Sequence, residues 1–161
     1  MLKNILSKSD CAECRLCCYF EHYELWEGPI VSPELRTKIS ARYPEVDYIA
    51  KGGSYVMKME IAENGYYKCP VLSDEKGCLM GDEKPFDCRI WPFRVMRHGG
   101  VMTISVCQIC PAVMKRPLEE IMGELNAGLA DKILDYARCN PDIIKNYEPS
   151  YPILMVTDVP C

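Results

Sequence analysis

Short alternating segments set off by turn residues, a later stretch of 3.6-residue periodicity, and eleven cysteines kept mostly outside that stretch predict a small α+β domain. At 161 residues the chain is long enough to bury a core without covalent help, so a single domain 1–161 is expected. Within it, a cysteine-cluster core of about residues 9–112 precedes a C-terminal helix and tail, 113–161.

The elements follow in chain order. The segment at 19–29, aromatic and acidic, has no clean period. At 32–44, "SPELRTKISARYP" reads as a helix with Ser32 as N-cap, Pro33 at the first helical position and Pro44 as the stop. "SYVMKMEIA" (54–62) alternates as a strand, and "YYKCPVL" (66–72) is its expected partner across the turn "ENG". A second hairpin is expected from "FRVMR" (93–97) and "VMTISV" (101–106), flanking His98, Gly99 and Gly100. Residues 73–92 between the hairpins read as loop. From Pro117 to about Cys139, Leu118, Ile121, Met122, Leu125, Leu129 and Ile133 fall on one helical face, an amphipathic helix closed by Asn140-Pro141. The apolar tail at 151–159 is expected to pair or pack.

Composition narrows the function. A net charge of −4, a pI near 5.3 and scattered basic residues argue against a nucleic-acid surface. The opening "MLKNILSKSD" lacks the apolar stretch of a secretory signal, and no apolar run approaches a membrane span, so a cytoplasmic protein is expected. In a reducing compartment, thiols serve metals more readily than disulfides. Eleven is also an odd number, which a disulfide scaffold would leave unpaired. The only histidines, His22 and His98, stand outside any ligand spacing.

Nine cysteines stand where loops or strand ends are expected: Cys11, Cys14, Cys17, Cys18, Cys69, Cys78, Cys88, Cys107 and Cys110. The C-x2-C spacing lets two thiolates reach one centre without strain. It occurs twice in succession at 11/14/17, like the three-cysteine run that holds most of a cubane cluster, and again at 107/110. The pairs 11/14 and 107/110 could equally form a four-cysteine zinc site. The double spacing tips the expectation toward an iron–sulfur cluster over Zn2+. Because consecutive side chains diverge, Cys17 and Cys18 are expected either to serve two neighbouring centres or to divide into one ligand and one buried or reactive thiol. Cys139 and Cys161 lie outside every ligand spacing.

Three blocks together carry a family resemblance. "CAECRLCC" (11–18), "CPVLSDEKGC" (69–78) and "KPFDCRIWP" (84–92) resemble the YkgJ-type cysteine-cluster family, a zinc- or iron-chelating domain. Cys11, Cys14, Cys17 and Cys18 match its first block; Cys69, Pro70 and Cys78 its second. Lys84, Pro85, Cys88, Arg89, Trp91 and Pro92 match its third, with Lys84 where arginine is usual and Trp91 where a smaller aromatic is usual. The resemblance spans about residues 11–110 and implies metal chelation, without choosing the metal or a reaction. Arg89 next to Cys88 can offset thiolate charge and donate hydrogen bonds to sulfur.

No phosphate loop, dinucleotide fingerprint, zinc-protease motif or nucleophile elbow is found. The leading expectation is a metal-binding module whose thiolate ligands come from several loops. The alternatives are a thiol–disulfide oxidoreductase using Cys107 and Cys110, and a zinc-stapled adaptor without catalysis; a protein partner is possible in any of these.

Overall fold

The computed structural model describes Leu2, residues 4–21 and residues 26–160, and it has the expected α+β class, with several small sheets, hairpins and a helical stretch Leu118–Cys139. The chain gathers into two units: Cys11–Arg89, and Met1–Asp10 together with Ile90–Cys161. His22 and Cys161 lie outside the described residues.

Helix α1 (Lys8–Cys14) leads into the first unit. It occupies sequence expected to be loop, and its start explains why. Ser7 Oγ accepts the Asp10 N–H at 3.0 Å while the Asp10 carboxylate accepts the Ser7 N–H at 3.0 Å, a reciprocal cap. The Ser7 bonds hold the Asp10 carboxyl below its ordinary pKa. The helix ends at Arg15, the one described non-glycine residue with positive φ, 55°.

A 3-10 turn, Leu16–Cys18, follows, then strand β1 (Tyr19–Phe20). Next come β2 (Ile30–Val31), α2 (Pro33–Arg42), β3 (Tyr48–Lys51) and β4 (Ser54–Met57), with sheet order β2-β4-β3. The α2 expectation holds in detail: Ser32 Oγ accepts the Leu35 N–H at 3.2 Å, and Pro33 opens the helix.

The first hairpin does not form as expected. β4 pairs with β3, Lys51 opposite Ser54 and Tyr48 opposite Met57, rather than with residues 66–72. The turn between them is Gly52-Gly53, with Gly52 at φ 60°, a conformation open to glycine at little cost. The expected "ENG" turn closes a shorter hairpin instead, β5 (Glu60–Ile61) against β6 (Tyr67–Lys68), and β1 adds to the far side of β6. β7 (Leu72–Ser73), β8 (Gly77–Cys78) and α3 (Phe86–Ile90) give structure to the segment expected as loop. Val31, Ile39, Val46, Met57, Val71, Leu72 and Met80 form the core here, with Cys69 among them.

In the second unit, β9 (Phe93–His98) and β10 (Val101–Val106) form the expected hairpin, from Phe93 opposite Val106 to His98 opposite Val101. Gly99 and Gly100 both take positive φ, 60° and 83°, as a two-residue turn between right-twisted strands requires. β11 (Lys145–Asn146) runs parallel to β9, and the apolar tail becomes β12 (Ile153–Pro160) on the other side of β10. The helices are α4 (Pro111–Met114), α5 (Leu118–Glu124) and α6 (Ala130–Cys139).

The amphipathic stretch bends where one helix was expected. At Gly128 φ reaches 99°, outside helical geometry, and α6 restarts after it. Ile121, Leu125, Leu129 and Ile133 are buried as the stripe requires, but Leu118 is 60% exposed. Among the described residues, no helix is long and apolar enough to cross a membrane.

Candidate metal centre

The first and second cysteine blocks are stitched together within the unit Cys11–Arg89. The Cys69 N–H donates to the Cys18 carbonyl at 2.9 Å, directly beside the Tyr19–Lys68 rung of β1 and β6. Arg15 spans the same two blocks. Its Nε donates to the Ala12 carbonyl at 2.8 Å and its guanidinium also donates to the Asp74 carbonyl. Asp74 further accepts from Tyr19 Oη at 3.2 Å and from Lys68 Nζ at 2.7 Å. The Lys68 ammonium holds the Asp74 carboxyl below the usual carboxylate range.

β8 closes the assembly on the other side. Gly77 has φ +72°, and a Cβ on it would sit 3.7 Å from the Ala12 Cα. This close approach sets Cys78 beside the helix that carries Cys11 and Cys14. Those two cysteines are one helical turn apart, at i and i+3, so they share a face of α1.

Beyond α1, the chain reverses at Arg15, and the 3-10 turn then brings adjacent thiols together. Cys17 Sγ lies 4.0 Å from Cys18 Sγ. The expectation that consecutive side chains diverge is corrected by this geometry. Two thiolates about 2.3 Å from one tetrahedral ion stand about 3.8 Å apart, a separation close to that of this pair.

The third block enters through Lys84. Burial pulls the pKa of its ammonium down, but the fields of Cys78, Cys11, Cys88 and Cys17 outweigh that and leave it raised. Four cysteines from all three blocks thus bear on one cation. Sequence reasoning gave the charge-offsetting role to Arg89. That residue is exposed, with its guanidinium carbon 5.8 Å from the centre of the Phe86 ring. Lys84 was legible only as a substitution in the third block.

Cys69 is the most enclosed thiol of the group. Burial pushes its pKa up to about 12, the Val71 N–H donated to its sulfur pulls the other way, and Cys78 and Cys17 add to the rise. An N–H aimed at sulfur stabilises a thiolate once the proton has gone.

Two predicted ligands remain. Cys107 and Cys110 belong to the other unit, in the turn after β10, and both are buried. The Cys107 N–H donates to the Pro92 carbonyl at 2.9 Å, and the Cys110 carbonyl accepts the Met114 N–H at 3.0 Å. His98 packs its ring 4.5 Å from that of Tyr147.

The donor set suits a thiophilic metal. Cys11, Cys14, Cys17, Cys18, Cys69, Cys78 and Cys88 are all free of disulfides, and Lys84 can offset charge on Cys11, Cys17, Cys78 and Cys88 once they are thiolates. Among the described residues, however, no three Cys, His, Asp or Glu side chains converge closely enough to hold an ion. No family model, curated protein or solved structure matches the chain, so the family resemblance rests on the residues of the three blocks themselves.

Proposed function

We propose that residues 11–89 form a thiolate metal-binding unit of a cytoplasmic protein, with ligands drawn from Cys11, Cys14, Cys17, Cys18, Cys69, Cys78 and Cys88. One observation carries the proposal: three blocks separated by up to 50 residues of sequence are tied into one unit, with cysteines of each bearing on Lys84. The 4.0 Å pair supports a shared ion, and the double C-x2-C spacing supports a cluster. Bound there, zinc would staple the loops, whereas an iron–sulfur cluster would add one-electron chemistry. The chain's own part is to hold the sulfurs, to offset their charge through Lys84, and to release the Cys69 proton as the donor is taken up.

The test is metal analysis, acid-labile sulfide and visible absorption on the full chain purified anaerobically. Iron with sulfide and a brown colour identifies a cluster; zinc in a colourless protein identifies the ion. Cys69→Ser should lose the metal, and Cys139→Ser, at an exposed helix end, should keep it. Folded wild-type protein with neither metal overturns the proposal.

A further inference from the structure

Helix α2 presents a second chemically distinct face. Pro33, Arg36, Thr37 and Ser40 fall at i, i+3, i+4 and i+7, and with Tyr55 they line an open groove of about 390 Å³. Leu35 and Ile39 on the same helix pack into the core instead. The groove face is therefore not needed for burial.

Arg36 is fixed within it. Its guanidinium carbon lies 4.3 Å from the centre of the Tyr55 ring and 5.3 Å from that of Tyr48. The two rings meet edge to face at 6.2 Å and 76°. Stacking occupies the face of the guanidinium and leaves the N–H donors on its edge available. Among the described residues, no carboxylate pairs with Arg36. Thr37 Oγ1 donates to the Pro33 carbonyl at 3.1 Å, which orients its lone pairs, and the Ser40 hydroxyl lines the next turn. Burial raises the Tyr48 pKa against the pull of Ser40 and Arg36, so that phenol stays neutral at physiological pH.

Matched to these walls, a ligand carries one negative charge, because Arg36 is the only charged group among the described residues of the lining. A phosphate dianion calls for a second cation, and the described lining residues offer none. The Tyr55 ring and the Pro33 ring add apolar surface to the same lining. We propose that this groove binds a small monocarboxylate with an apolar or aromatic body, its two oxygens held by the edge of Arg36. None of its residues is a cysteine, so the site stands or falls independently of the metal proposal.

The test is a titration of the isotope-labelled full chain with 3-phenylpropionate, acetate and inorganic phosphate, followed by amide shifts. Saturable shifts confined to residues 33–40, 48 and 55 are expected for 3-phenylpropionate, with a roughly millimolar Kd. Acetate should bind more weakly and phosphate not saturably. Arg36→Met should weaken binding about tenfold or more, with other amides unmoved, and Arg36→Lys, which keeps the charge but loses the fork, several-fold. The exposed position of Arg36 makes both variants compatible with folding. No saturable shift up to about 20 mM, unchanged affinity in Arg36→Met, or equal binding of acetate or phosphate overturns the proposal.

Discussion

Cys69 should be the slowest-reacting thiol of the first unit in the metal-free protein, and the size of the effect can be worked out. Its pKa is raised from an ordinary value near 9 to about 12, chiefly by burial. Well below both values, three pKa units lower the thiolate fraction ~1,000-fold. A more basic thiolate is also a better nucleophile; with a Brønsted slope of ~0.4–0.5 this returns ~15- to 30-fold in exchange with a disulfide or thiosulfonate. The net slowing from protonation alone is therefore ~30- to 60-fold, before any cost of exposing the sulfur. The assay is pulsed labelling of reduced, chelator-treated protein with methyl methanethiosulfonate, quantified by mass spectrometry. The reference is Cys69 in the urea-unfolded chain. The pH dependence has a definite sign: native Cys69 labelling should rise tenfold per pH unit well past pH 9, where the unfolded reference levels off. A raised pKa means the folded state holds the proton more tightly. That stabilisation is complete below about pH 9 and is lost as the pH rises through about 12. Labelling within tenfold of the unfolded rate, or a plateau near pH 9, would refute the enclosed environment described for Cys69.

Three further outcomes test the scaffold by urea unfolding of the reduced, metal-free protein. Leu125→Ala empties a fully buried position and should cost about 2–5 kcal/mol; in protein purified without chelator the metal content of the folded fraction should not change, and loss of metal at unchanged stability would contradict it. Gly77→Ala should cost about 1–2 kcal/mol through its positive φ rather than through crowding, since the new methyl would meet Ala12 at ordinary contact distance; a neutral result would contradict the backbone assignment. Ser32→Ala removes the cap on Leu35 and should cost about 1 kcal/mol, whereas Ser32→Asp should restore most of it.

Local chemistry was the most readable part of the sequence. Ser32-Pro33 marks the start of α2, and Gly99-Gly100 marks the turn between β9 and β10, because cap and turn residues act over a few positions. The same kind of signal was present and overlooked at Ser7 and Asp10, which start α1, at Gly52-Gly53, which redirects β4 onto β3, and at Gly128, which breaks the long helix. What sequence could not convey was convergence. That Gly77 lies against Ala12, that the Cys69 amide reaches the Cys18 carbonyl, and that Lys84 feels cysteines from all three blocks depend on chain reversals between them. The closeness of the Cys17 and Cys18 sulfurs likewise depends on the left-handed Arg15 and the tight turn after it.

The division of the chain into units has a consequence for the order in which they can be made. Residues 11–89 are continuous, whereas the other unit joins Met1–Asp10 to segments that begin at Ile90. During synthesis from the N-terminus, all seven cysteines of the first unit emerge from the ribosome before β9, β10 or β12 does. Helix α1, the turn after it and the β7–β8 hairpin that bears Cys78 are all local in sequence, which favours early formation. Thiol gathering can therefore run ahead of the larger sheet, whose first hairpin waits for Val106 and whose outer strand waits for Ile153. The second unit keeps its N-terminal segment waiting through the emergence of the first, and only then can Arg116 donate to the Ile5 carbonyl and close that segment in place.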